Sequence, residues 1–371
     1  MRLFQVSLPI TGAAALMMLV ITGCGGAGGG DPQNDFDRGA LLRQYADQSI
    51  LPAYQAWVEA TADLHLRATE MVANTSSESL SATRTAFENA YITWQQVMLY
   101  DFGPAANRAV LETTNTFPVD TGAVMSDVYE SVWVPGTAES LDQIGLPALD
   151  FLLFHGTTDE VVSGIASNAL LGEHILRLTG NIADEAVAIQ SAWTNGFRDT
   201  FVGATGTDVG SGIGMMLNAF NRTWEGNVRK QKLGFPAGVS TFSQTPLPGH
   251  VEAPFMGNIS VNLIKVAFAS YRDLYLGSPV QGDGSLGLDD YLRSLGNSEF
   301  GEQLDTDIQA QLVATEAALE QLESPLSDYV VNNQSEAFEV YAELQALVVL
   351  WKLDMMSAFG VAITYQDNDG D

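Results

Sequence analysis

The chain has a single cysteine, Cys24, in 371 residues. A disulfide needs two cysteines and a thiolate zinc site needs several, so both are excluded. Histidine is scarce as well: His65, His155, His174 and His250 are the full set, and none stands three or four residues from another, the spacing that turns two helix ligands toward one metal. There is no His-Glu-x-x-His, no phosphate loop and no Gly-x-Ser-x-Gly elbow; Gly210-Ser211-Gly212 is glycine-linker text. Positive charge is the other shortage, with 16 Lys and Arg against 45 Asp and Glu. So acidic a chain repels nucleic acid and anionic headgroups and gathers cations, and it also suits plain solubility in salt. Strand-type alternation is nearly missing. No apolar run reaches the roughly 20 residues that span a bilayer.

What is present begins at the N-terminus. Met1 and Arg2 precede an apolar run from Ala13 to Ile21, followed by Ile21-Thr22-Gly23-Cys24. This is the layout of a bacterial lipoprotein signal: the peptide 1–23 is removed and Cys24 receives fatty acyl chains of the palmitate type. Two or more acyl chains hold a protein stably at a membrane. Gly25 in place of Asp after the cysteine favours the outer membrane over the inner. Residues 24–37, with Gly25, Gly26, Gly28, Gly29 and Gly30, form a flexible tether. Cleavage removes only Arg2 among the charges, leaving 45 acidic and 15 basic residues in the mature chain.

From Arg38 the apolar residues recur at three- and four-residue steps, as helices require. Leu41, Leu42, Tyr45, Ile50, Leu51, Tyr54, Trp57 and Val58 open a helix running to about Val72, with Pro52 as a kink point. Thr75 and Glu78 have capping-box spacing, and Phe87, Tyr91, Trp94, Val97 and Met98 mark the stripe of a second helix. Residues 101–139 read as a long irregular loop, of the kind that is commonly functional. A short apolar helix from Ala148 to about Phe154 follows, then a long one from about Ser163 to Phe201, interrupted at Gly180 and Gly196. The glycines of 203–214 divide the chain into residues 38–203 and 204–364. The second part carries helices at roughly 213–232, 254–276, 299–323 and 334–359. The pattern predicts an all-α protein of two packed helical bundles with about four main helices each. Residues 365–371 remain as an acidic tail.

Two segments bear chemistry. In Gly145-Leu146-Pro147-Ala148-Leu149-Asp150-Phe151-Leu152-Leu153-Phe154-His155 a carboxylate lies within an apolar helix, which is costly unless it is paired or coordinated. Asp150 therefore either ligates a cation, with His155 and Asp101 as helpers and Arg108 and Asp120 as neighbours, or faces a polar seam, or caps a nearby amide. Oxygen ligands would dominate such a site, so the candidate cofactor is a hard cation, iron or calcium. Asp367, Asp369 and Asp371 have the rhythm of the first half of a calcium loop, without its distal glutamate.

Several segments together resemble the imelysin-like family of exported bacterial proteins. They are Leu51-Pro52-Ala53-Tyr54, the Trp94 helix leading into Phe102-Gly103-Pro104, the Gly145–Asp150 segment with Phe151-Leu152-Leu153-Phe154, Lys232-Leu233-Gly234 with Pro236, and Asp369-Gly370-Asp371. The resemblance implies two four-helix bundles with a site in the groove between them. It also implies an envelope role in iron or other metal uptake, with envelope uptake components as partners, and a metallopeptidase label. That label rests on Gly-x-His-x-x-Glu. Here Gly145 keeps the glycine, Pro147 takes the histidine place and Asp150 the glutamate place, as in a lipoprotein branch reading Gly-Leu-Pro-Ala-Leu-Glu. Proline offers no ligand, so the expectation is a binding protein and not an enzyme. The alternatives are a metal-dependent peptidase, which three free ligands around one metal would favour, and a scaffold, which a closed and fully paired Asp150 would favour.

Overall fold

The computed structural model describes residues 36–131, 133, 135–277, 285–295 and 298–365. Cys24, the signal segment, nearly all of the tether and the tail residues Asp367, Asp369 and Asp371 lie outside them. Among the described residues every regular element is helical.

The first bundle begins with α1 (Arg38–Gln44), capped by Asp37, whose carboxylate accepts from the Ala40 amide. A π-helical stretch, Tyr45–Ile50, joins it without a break to α2 (Leu51–Ala73); Pro52, which has no amide to donate, directly follows this stretch, where the regular backbone ladder is already interrupted. The cap of α3 (Ser77–Val97) is one residue along from the expected pair: Ser76 and Ser79 exchange side-chain and backbone hydrogen bonds, and Thr75 back-bonds to Met71. The described part of the stretch 101–139 is more helical than its glycines and prolines suggest. It holds α4 (Pro104–Asn107), α5 (Val110–Asn115) and α6 (Thr121–Glu130), each too short to show a helical period in sequence.

After α7 (Gly145–Phe154), the expected long helix is divided at Asn168 into α8 (Thr158–Ser167) and α9 (Ala169–Ala192). The Asn168 side chain accepts from the Leu170 amide and starts the second helix afresh. Gly180 does not interrupt α9; its bare Cα admits the His65 ring instead, 3.3 Å from where a Cβ would stand. Gly196 does produce a kink, at φ +132° within the π-helical stretch Trp193–Phe197, before α10 (Arg198–Gly203).

The second bundle opens with α11 (Gly212–Thr223), which continues as a π-helix, Trp224–Gly234, and ends in the single turn α12 (Phe235–Ala237). The helix expected from residue 254 starts later, as α13 (Ser260–Tyr275), because residues 251–257 form a loop with its own work to do. Then come α14 (Leu288–Arg293), α15 (Ser298–Leu319), α16 (Leu326–Asn332) and α17 (Gln334–Val348), with a π-helical continuation Val349–Met355 into α18 (Met356–Phe359).

Helix α2 packs between α3 and α9, with α7 against α9; in the second bundle α15 packs on α17, and the π-helical continuation of α11 packs on α13 and α17. Helix α13 also lies along α3, so the two bundles share one apolar core. Five tryptophans are buried in it: Trp57 on Trp94 at 5.3 Å, Trp193 among Phe102, Phe197 and Phe201, and Trp224 on Trp351 at 5.0 Å. No helix among the described residues is long and apolar enough to cross a membrane.

Candidate functional site

Gly145 starts α7 at φ +76°, and a Cβ there would stand 2.3 Å from the Thr114 carbonyl oxygen, so only glycine lets α7 approach α5. Pro147 is buried in the first turn, where an amide has no intrahelical partner to lose. These two residues set Asp150 into the interior, where it is 0% exposed.

The Asp150 carboxylate meets two backbone amides. Its Oδ2 accepts from the Phe255 amide at 3.0 Å and its Oδ1 from the Met256 amide at 2.9 Å. Amide capping is one of the roles the sequence leaves open to Asp150, beside cation ligation, a polar seam and an arginine pair, and these two bonds supply it. The amides belong to the loop between residues 251 and 257, so a first-bundle carboxylate holds a second-bundle loop. Burial pushes the carboxyl up to about 7, against the pull of the two amide bonds, and the nearby Glu252 adds to the rise.

Glu252 anchors the same loop from the other side. Its Oε2 pairs with the Lys232 ammonium, and its Oε1 accepts from Gln95 Nε2 at 3.1 Å and Asn115 Nδ2 at 2.6 Å. Asn115 in turn accepts from the Tyr91 hydroxyl at 2.7 Å, and Ser260 Oγ donates to the Glu252 carbonyl. The loop is bent to meet these partners, with Ala253 at φ +52°, a left-handed conformation that a non-glycine residue adopts at a cost. Burial pushes the Lys232 ammonium down, opposed by Glu252. Tyr91, Gln95, Asn115, Lys232 and Glu252 thus form a closed polar cluster beside Asp150, in the groove where the two bundles meet.

The other sequence candidates are placed elsewhere. His155 is exposed at the end of α7, its ring on Phe151 at 5.0 Å and edge-on to Phe255 at 5.4 Å. Asp101 pairs with Arg222 and lines a separate cavity of about 260 Å³ with Gly103, Asn218 and Tyr365. Arg108 binds Glu185, and Asp120 caps α6 by accepting from the Ala123 amide at 2.9 Å. Asp150, His155 and Asp101 therefore do not converge, and no group of three His, Cys, Asp or Glu among the described residues is placed to hold a metal ion. At the motif positions, Pro147 lies in the first turn of α7 and Asp150 receives two amides, clamping their loop.

Sequence reasoning missed Glu252, Lys232 and Asn115 as one cluster. Lys232 had a signal, since it is one of only four lysines and lies in Lys232-Leu233-Gly234. Asn115 and Tyr91 had none, because a polar side chain on an apolar stripe reads the same whether or not it meets a carboxylate.

No curated protein matches the chain significantly. Two solved structures share its fold. An imelysin-like protein from Psychrobacter arcticum 273-4 is 18% identical with a TM-score of 0.70, covering 90% of this chain and 99% of its own. A putative iron-regulated protein A precursor from Parabacteroides distasonis ATCC 8503 is 16% identical with a TM-score of 0.69, covering 89% and 97%. The imelysin family, peptidase M75, matches residues 50–352, most of the helical body that carries the clamp, and the chain belongs to that family.

Proposed function

We propose that this chain is an exported, lipid-anchored envelope protein that binds a metal ion or metal-bearing ligand in iron uptake and does not hydrolyse peptides. The observation that carries the non-catalytic part is Asp150: both carboxylate oxygens are occupied by backbone amides and the residue is closed to solvent. A zinc-type hydrolase needs about three protein ligands and an activated water in an open position. Pro147 supplies no ligand, and Asp150 is already committed. The iron part is supported by the printed name of the Parabacteroides distasonis neighbour, an iron-regulated protein A precursor. The acidic composition, which concentrates cations at the surface, agrees with it. The lipobox ending in Cys24 supports the anchor, and Gly25 supports the outer membrane.

The deciding experiment is metal analysis of protein purified without chelators from iron-replete and iron-starved cells, run beside a cleavage assay on unfolded protein. Iron that follows supply, with no cleavage, supports the reading. Chelator-sensitive cleavage abolished by Asp150→Asn would restore the peptidase. Neither metal nor cleavage leaves a scaffold of the envelope, which the fully paired Asp150 also suits.

A further inference from the structure

A cavity of about 250 Å³ lies at the far end of α13 from the clamp, bounded by Pro52, Ala53 and Ala56 at the start of α2, Tyr100 beyond α3, and Asp273 and Leu274 near the end of α13. Ser260, which anchors the Glu252 loop, and Ser270, which also lines this cavity, are ten residues apart on α13, about 15 Å at the helical rise. The cavity is larger than the roughly 150 Å³ that admits benzene in an apolar core.

Two hydroxyls on its wall have no partner. Ser49 Oγ is buried and unbonded, and the hydroxyl of Tyr100, a residue only 5% exposed, donates to nothing among the described residues. Ser49 is an exception in this protein. Four buried helix threonines return to the carbonyl four residues back, Thr61 to Trp57 at 2.8 Å, Thr83 to Ser79 at 2.9 Å, Thr179 to Ile175 at 3.0 Å and Thr223 to Ala219 at 2.7 Å, while buried Thr315 and Ser260 reach the carbonyls of Glu343 and Glu252. Ser49 lies in the π-helical turn, where the backbone bond spans five residues, as from the Leu51 amide to the Ala46 carbonyl, and its hydroxyl has no such return. The Ser49 hydroxyl is closed off from the cavity, whereas the Tyr100 hydroxyl, on a lining residue, is the one a ligand there can meet.

The electrostatics choose the partner's charge. Asp273 lies on the wall with its Oδ1 held by Arg272 at 3.1 Å, and Arg272 is shared with Glu316 at 2.6 Å, so two carboxylates face one guanidinium. No basic side chain lines the cavity, and the remaining polar lining, Gln48, Gln96 and Ser270, can accept as well as donate. We propose that this cavity binds a small organic amine, an alkyl- or aryl-ammonium whose apolar body lies on Pro52, Ala53, Ala56 and Leu274 and whose ammonium donates to Tyr100 and Asp273. The site is independent of the clamp and of the iron reading.

The test is ligand-observed NMR on the full-length protein with benzylamine, benzyl alcohol and benzoate. Benzylamine should bind about tenfold or more tightly than benzoate, with benzyl alcohol between. Ala53→Trp should abolish binding of all three. Asp273→Asn, a change on a partly exposed wall residue that leaves the fold intact, should weaken benzylamine severalfold and leave benzyl alcohol unchanged. Equal binding of benzoate, no binding by benzylamine, or benzylamine affinity indifferent to Asp273→Asn would overturn the proposal, the last even if Ala53→Trp misfolds.

Discussion

The Lys232 ammonium and the Glu252 carboxylate pair with one another where neither side chain is more than 2% exposed. An ion pair so enclosed gains little net stability, since desolvating both charges offsets their attraction, but breaking it strands a charge. Lys232→Met should therefore destabilise the protein by about 3–5 kcal/mol. Lys232→Met combined with Glu252→Gln should recover most of that, because the neutral amide can keep Asn115 as a partner. Urea denaturation of the three proteins checks it; a harmless single mutant would mean that Glu252 is not held as a charge.

Gly145→Ala tests the approach of α7 to α5. The substitution puts a Cβ 2.3 Å from the Thr114 carbonyl oxygen at a backbone φ of +76°. Strain of this kind costs about 1–3 kcal/mol before any displacement of α5 is counted. Because Asn115 follows Thr114 directly, the mutant should also loosen the hydrogen bond to Glu252. Faster amide exchange at Asn115 and a lower melting temperature are the expected readouts.

The bundles were legible in sequence because their stripes run for several turns: Phe87, Tyr91 and Trp94 are all buried as the period requires. Asp150 was legible as an anomaly, an acid in an apolar helix, and its capping role was among the readings that anomaly allowed. Its partners were not legible, because they are the amides of Phe255 and Met256, more than a hundred residues away, and a backbone N–H has no sequence signature. The helices α4, α5 and α6 were hidden for another reason. Segments of 4, 6 and 10 residues contain too few turns for a period to emerge among their glycines and prolines.

His174 is 1% exposed on α9, edge-on to Trp133 at 5.9 Å, with no partner for either ring nitrogen. Burial, and secondarily Arg177, lower its ring to about 4 from an unfolded value of 6.5. Below 6.5 the unfolded chain binds a proton that the folded chain refuses, so this group's contribution is present above pH 6.5 and is lost as pH falls toward 4. The slope is that of one proton, about 1.4 kcal/mol per pH unit. His174→Leu should remove that slope, leaving the mutant relatively more stable than wild type at pH 5 than at pH 7.5 in paired denaturation curves.

Cys24→Ser addresses the anchor. Acylation requires the thiol, so labelled fatty acid should enter the wild-type chain and not the mutant, which should accumulate unprocessed or away from the membrane. Equal labelling of both would end the lipoprotein reading.

Asp150 gives the sharpest pair of measurements. Removing its carboxylate in Asp150→Ala orphans the Phe255 and Met256 amides, at about 1–3 kcal/mol for each buried donor. Asp150→Asn keeps one acceptor oxygen and should cost less. The pH dependence has the opposite sign to that of His174. Burial raises the folded carboxyl to about 7 from 3.8, so between those values the folded chain holds a proton that the unfolded chain has released. Stability from this group is therefore full below about pH 4 and is lost as pH rises through 7. The advantage of wild type over Asp150→Asn should shrink with rising pH across that window, by up to about 1.4 kcal/mol per unit. A ligand role predicts something different: an unchanged melting temperature in Asp150→Ala with metal binding lost. A large drop in melting temperature in Asp150→Ala, with no metal dependence of the wild-type melt, identifies the clamp.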